Sequence, residues 1–270
     1  MDKSCPPTQS LFWTISHVCE QPLTLELDDD DGNAESQLVP DDLELTCGCH
    51  YHWQCLLDQA AELAASLQCP SCDTRLATNT AGPSTGSSFV QSAPGAAILT
   101  RYTNEGGVQE NYDILPAVTE EAYLEANPEA RPARAFHIMC SEGDVGGIVE
   151  LLRDAEQGQG DEPTMSAASL IRYQDPLGNS KSGLHLAVEK GQEEVVWLLL
   201  WIASTLPTGS FPEQAVQVAQ AMGIQRPNTL ASEDIRALTD NQGRTAEELA
   251  AQMSGFWASL VDSGTLHPGT

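Results

Sequence analysis

The stretch Leu45–Leu76, LTCGCHYHWQCLLDQAAELAASLQCPSCDTRL, constrains this chain more than any other. It holds five of the eight cysteines and two of the six histidines. Cys47, Cys49, His52 and Cys55 come first, spaced C-x-C-x-x-H-x-x-C, and Cys69-Pro70-Ser71-Cys72 closes the window. Disulfides or buried free thiols are the plain alternative. Close cysteine pairs with an interleaved histidine fit tetrahedral zinc better, because two soft donors from one tight turn grip one ion.

Between Cys55 and Cys69, the residues Leu56, Ala60, Leu63, Ala64 and Leu67 recur at helical spacing, which predicts one short helix with its apolar stripe toward the metal. Upstream, Pro22–Leu27 and Leu43–Leu45 alternate with period two, as half-buried strands do, and Leu11–Ile15 reads as a further short strand. Asp28 to Asp31 mark a solvated acidic loop. So small a set of apolar residues makes a thin core. Metal binding is therefore expected to supply much of the folding free energy, on the order of 10 kcal/mol or more per structural zinc.

From Cys47 onward the window resembles a RING finger, whose pattern is C-x-x-C, a loop, C-x-H-x-x-C/H-x-x-C, a second loop, then C-x-x-C. Cys47 falls on the third ligand position, and Cys49 stands where that family has histidine. His52, Cys55, Cys69 and Cys72 take positions five to eight, and Tyr51 matches the aromatic before the fifth ligand. Cys19 fits the second position, with Val18 as the hydrophobe before it. Ser16 stands where the first cysteine belongs, so His17, or Cys5 if the chain folds back, is the candidate to complete that set. The resemblance implies a cross-brace with two zinc ions. It implies that Cys47, Cys49, Cys69 and Cys72 hold the more secure ion, and that Cys19, His52 and Cys55, completed by His17 or Cys5, hold the other. His50 is left as a solvent-facing or outer residue. Val18 and Pro70 lie on the two ligand loops that the family uses to dock a ubiquitin-conjugating enzyme.

The 39 acidic residues against 12 basic ones leave a formal charge of −27. That charge opposes phosphate backbones and anionic membranes, so neither nucleic acid nor membrane is an expected partner. No secretory signal is visible, and the longest apolar run, Val195–Ala203, is far short of the roughly 20 residues that span a bilayer. Cysteines in metal spacing then point to a reducing compartment, cytoplasm or nucleus.

Residues 12–78 are read as the finger and 79–130 as a linker, partly disordered. Thr, Gly, Ser, Pro and Ala dominate it to about Ala97. Within 98–130, Ile98, Leu99 and Tyr102 suggest a strand and Thr119–Ala126 a helix. Repeats then set residues 131–265. Asp175-Pro176-Leu177-Gly178, Ser182-Gly183-Leu184-His185-Leu186-Ala187, Gly191 and Glu194–Leu200 resemble an ankyrin repeat, with two extra residues after Gly178. Ala135–Cys140, Gly143 and Ile148–Leu152 repeat its second half, and Asp240–Ala246 with Leu249-Ala250 supplies a third opening. The resemblance makes His137 and His185 structural. Cys140 is read as a core thiol, and Trp197 and Trp201 as packing residues. Residues 205–238 are an insertion, with a helix over Pro212–Met222. The expected fold class is a small zinc-stabilised α+β finger plus an all-α ankyrin-repeat solenoid.

No nucleophile motif, phosphate-cradling loop or His-Glu zinc-hydrolase helix is present, and no catalytic residue is assigned. Two functions remain. One is a RING-type ubiquitin-protein ligase that docks a conjugating enzyme and holds a protein substrate on its repeats. The other is a non-catalytic adaptor with a structural zinc module.

Overall fold

The computed structural model describes residues 15–27, 37–78, 96–157 and 165–268. The chain divides between Ala126 and Asn127 into two compact units of mixed α+β structure, with small sheets and eleven α-helices among the described residues.

In the first unit, β1 (Thr24–Leu27) and β2 (Gln37–Pro40) form an antiparallel hairpin. The main sheet is built on β3 (Asp42–Leu45), whose period-two pattern turns Leu43 and Leu45 inward. It pairs on one side with β4 (His50–Tyr51) and on the other with β5 (Leu99–Asn104); β6 (Gly107–Asp113) completes the order β4-β3-β5-β6. The expected single helix is two, α1 (Trp53–Leu57) and α2 (Ala60–Ser66). Gln59, at φ −108° and ψ 15°, breaks the helical run, and Leu67 ends α2 in the left-handed conformation at φ 55°. The apolar stripe survives the break, since Leu56, Ala60, Leu63, Ala64 and Leu67 are all buried.

Residues 96–126 fall within the span read as linker, yet they are structural. Strands β5 and β6 extend the sheet, and α3 (Leu115–Ala126) packs on α2. Ile98, Ile114, Leu115, Val118 and Ala122 join Leu43, Tyr51, Leu56 and Leu63 in one core, which is thicker than the finger alone provides. The expected strand at Leu11–Thr14, the acidic loop at Asp28–Asp31 and linker residues 79–95 lie outside the described residues. Ile15 forms an antiparallel bridge with Pro22.

In the second unit, α4 (Arg131–Glu142) and α5 (Val145–Gln157) flank Gly143, and α6 (Ala167–Ile171) follows. A two-residue ladder of β7 (Gln174–Asp175) and β8 (Lys181–Ser182) leads into α7 (Gly183–Lys190) and α8 (Glu193–Ala203), which flank Gly191. Gly143 and Gly191 cap α4 and α7 at φ 87° and 78°, a left-handed conformation that glycine adopts without a Cβ penalty. Segment 205–238 carries α9 (Glu213–Ala221), and α10 (Ala246–Ala250) and α11 (Phe256–Asp262) end the unit. Helix α7 packs between α4 and α10.

The same polar geometry recurs. His137 Nε2 lies 3.2 Å from the Tyr173 carbonyl oxygen, and His185 Nε2 lies 3.0 Å from that of Arg244. Asp175 accepts from the Leu177 N–H and Asp240 from the Gln242 N–H, each turning the chain two residues on. Segment 205–238 is tied down by a buried pair, Arg236 and Asp234 at 2.7 Å, with Arg236 also donating to Thr205 Oγ1 and the Thr265 carbonyl. Arg226 lies over the rings of Trp201 and Phe211. No described helix is long and apolar enough to cross a membrane.

Two measurements follow on a fragment beginning at Asn127. At Gly183 an added Cβ would stand 2.7 Å from a Phe136 ring carbon and 2.9 Å from Cys140 Sγ. Gly183→Ala should thus destabilise the fragment by about 1–3 kcal/mol in urea titrations; an unchanged midpoint would show that α4 and α7 are free to separate. Burial pushes His137 down from 6.5 to about 4, and it lowers His185 too. A histidine held neutral by the fold contributes full stability above pH 6.5 and loses it as pH falls toward 4. His137 alone should cost about 2 kcal/mol between pH 7 and pH 5. His137→Gln should flatten that slope, and a slope unchanged by the substitution would contradict the assignment.

Candidate metal centre

Two donor groups assemble in the first unit. In each, the candidate ligand atoms all lie within 4.8 Å of one another: Cys47, Cys49, Cys69 and Cys72 form one, and Cys19, His52 and Cys55 the other. The turn that presents the first pair is made by Gly48 at φ 81°, whose N–H donates to the Leu45 carbonyl at 2.8 Å. The second pair sits in a turn after α2 in which the Asp73 N–H reaches the Cys69 carbonyl at 2.9 Å. Segment 16–22 is stitched to β4: the His17 N–H donates to the His50 carbonyl at 2.8 Å, and the His50 N–H donates to His17 Nδ1 at 3.0 Å. That stitching carries Cys19 to His52.

The surroundings fit a tetrahedral cation. His52 Nδ1 lies 3.3 Å from Cys19 Sγ, while its Nε2 lies 2.8 Å from the Pro22 carbonyl oxygen. Donation from Nε2 leaves Nδ1 as the lone-pair nitrogen facing the thiols, as ligating histidines require. The Tyr51 hydroxyl, buried in the core, donates to Ser71 Oγ at 2.6 Å and lies 3.1 Å from Cys69 Sγ. Burial, reinforced by Cys69 and Cys72, pushes the Cys47 thiol up to about 12. A buried thiol such as Cys47 resists ionisation unless a cation joins it. Burial raises Cys19 as well, but the Gln21 backbone, Ser16, Cys55 and His52 outweigh it and bring the thiol to about 7. Burial raises Cys55, and its hydrogen bond with Cys19 adds to the rise. Burial also works to raise Cys72, yet Thr74 and the neighbouring thiols lower it. Cys19, Cys47, Cys55, Cys69 and Cys72 are free thiols, whereas Cys49 is disulfide-bonded, so ligation by all four cysteines requires the reduced form.

No protein family, curated protein or solved structure matches the chain. The donor geometry thus stands on its own.

Of the residues read as ligands, seven fall in the two groups and His17 does not. Its Nδ1 is occupied by the β4 backbone, and its ring leans on Tyr51 with centroids 5.8 Å apart. Cys5 lies outside the described residues. His50 is buried rather than solvent-facing, with Nδ1 2.7 Å from Asp42 Oδ1, a contact that raises its pKa. Val18 is exposed and Pro70 half-buried. Residue types alone did not single out Ser16, which is buried against Cys19 and Cys55. Its alignment with an absent cysteine was the available signal.

Under reducing conditions Cys69→Ser should remove one bound metal equivalent, read by elemental analysis, and loosen β3, β4 and α2 with it. Tyr51→Phe keeps the packing volume and removes the hydroxyl that bonds Ser71 and touches Cys69 Sγ. It should weaken the tighter site about tenfold in chelator competition; unchanged affinity would show that the phenol is only a core residue.

Proposed function

We propose that the first unit binds two zinc ions in a RING-type cross-brace and docks a ubiquitin-conjugating enzyme, while the second unit, of ankyrin type, holds a protein substrate. The chain would then act as a ubiquitin-protein ligase. The observation that carries this reading is the interleaving of the donors. Cys19 joins His52 and Cys55, Cys47 and Cys49 skip over them to Cys69 and Cys72, and the two groups alternate along the chain. Tandem fingers would instead use ligands consecutively. The recurring His137 and His185 contacts and the glycine-capped helix pairs support the ankyrin reading of the second unit.

Such a ligase forms no covalent intermediate. Its acceleration comes from holding a charged carrier and an acceptor lysine together. Loops 16–19 and 69–72 both lean on Tyr51, the first through the His17 ring and the second through Ser71, so one core side chain fixes both candidate docking loops. Val18 is exposed on the first loop and Pro70 lies on the second.

The adaptor reading is favoured by one specific position. Many active RING ligases carry a basic residue just after the eighth ligand, and here that residue is the exposed Asp73. Auto-ubiquitination with a panel of conjugating enzymes separates the two. The ligase reading expects transfer with at least one enzyme, and loss of at least tenfold in Val18→Ala with zinc content unchanged. No transfer with any of them would leave the adaptor.

A further inference from the structure

The second donor group has three strong ligands and a fourth side chain pressed against it. Ser16 is 1% exposed although Cys19 beside it is open to solvent. A tight turn holds it: the Ser16 N–H donates to the Gln21 carbonyl at 2.9 Å, and the Glu20 N–H donates to the Ser16 carbonyl at 3.1 Å. Glu20 closes that turn at φ 59°. The Val18 N–H reaches Ser16 Oγ at 3.3 Å, and the hydroxyl is within hydrogen-bonding reach of both Cys19 and Cys55. His17, the alternative fourth donor, is committed to β4.

Resting on the zinc reading above, we infer that Ser16 Oγ is the fourth donor of the Cys19–His52–Cys55 site, which makes that site the weaker and more exchangeable of the two. The chemistry separates the sites by charge. Four thiolates around a divalent cation sum to −2, whereas two thiolates, a neutral imidazole and a neutral hydroxyl sum to zero. A hydroxyl oxygen is also a poorer partner for zinc than sulfur, so this ion is bound less tightly at equal geometry. The four-thiolate ion is then the permanent one, and the serine-completed ion is the one that zinc availability controls.

The test uses the reduced full chain, loaded with zinc and then competed with a chromophoric chelator, with cobalt(II) as a spectroscopic substitute. Two ions are expected, released in two separated steps. Ser16→Ala should shift the first step at least tenfold toward release and leave the second unmoved. Ser16→Thr should behave as wild type, and Ser16→Cys should delay the first step and intensify the sulfur-to-cobalt charge-transfer band as a third thiolate joins that site. Circular dichroism of each variant shows whether the unit still folds, and rescue by Ser16→Thr guards against a packing artefact. The inference is overturned if Ser16→Ala matches wild type while His52→Ala still loses one ion. It is equally overturned if azide or imidazole alters the cobalt spectrum of wild type and Ser16→Ala alike, since the fourth position would then be open. A chain that takes up no zinc in any variant overturns the underlying metal reading instead.

Discussion

Cys49 and Cys69 are almost sealed from solvent, and both belong to the same four-sulfur group although α1 and α2 lie between them in sequence. Their geometry is compatible with a shared cation, and such a cation would be the physical constraint on which the rest of the first unit depends. Without one, burial pushes Cys47 up and leaves crowded thiols competing for protons. With one, the β3–β4 turn and the turn after α2 are clamped together, and the intervening helices are held on the sheet. The second donor group does the same for segment 16–22, whose backbone is already stitched to β4 through His17 and His50. Tyr51 stands at the junction, touching the His17 ring, Cys69 and Ser71 from within the core.

The second unit follows a different logic. Its core is large, with Phe136, Ile148, Leu170, Leu184, Val195, Val196 and Leu200 all fully buried, and no donor group forms there among the described residues. Its polar groups are spent on turns. Asp175 and Asp240 each fold the chain ahead of a helix, and each meets an arginine, Arg134 and Arg244 respectively. Thr245 and Glu248 form a reciprocal cap on α10. The Arg236–Asp234–Thr205 knot fastens segment 205–238 without leaving a buried charge unpaired.

What was legible in the sequence follows from where the signal is chemical. Cysteine spacing is dense in information because a metal accepts few geometries, and seven of the proposed ligands do come together. The stripe from Leu56 to Leu67 was legible as a buried face but not as two helices, since the break at Gln59 is a backbone event with no glycine or proline to announce it. The strand suggested by Ile98, Leu99 and Tyr102 is β5, but its partner β6 was not read. LTRYTN and GVQENYD carry few apolar residues; β5 is placed by pairing with β3, more than fifty residues away, and β6 by pairing with β5. His17 was the natural substitute for a missing cysteine by donor chemistry. Only the hydrogen bonds to His50 show that its ring serves the β4 backbone instead.

Amide hydrogen exchange of the reduced full chain, with and without a zinc chelator, tests the central claim most directly. If metal organises one unit and apolar packing the other, protection in β3, β4, α1 and α2 should collapse on chelation while α4, α7 and α8 keep theirs. Equal protection in both conditions would contradict the account, since the first unit would then stand on its core alone.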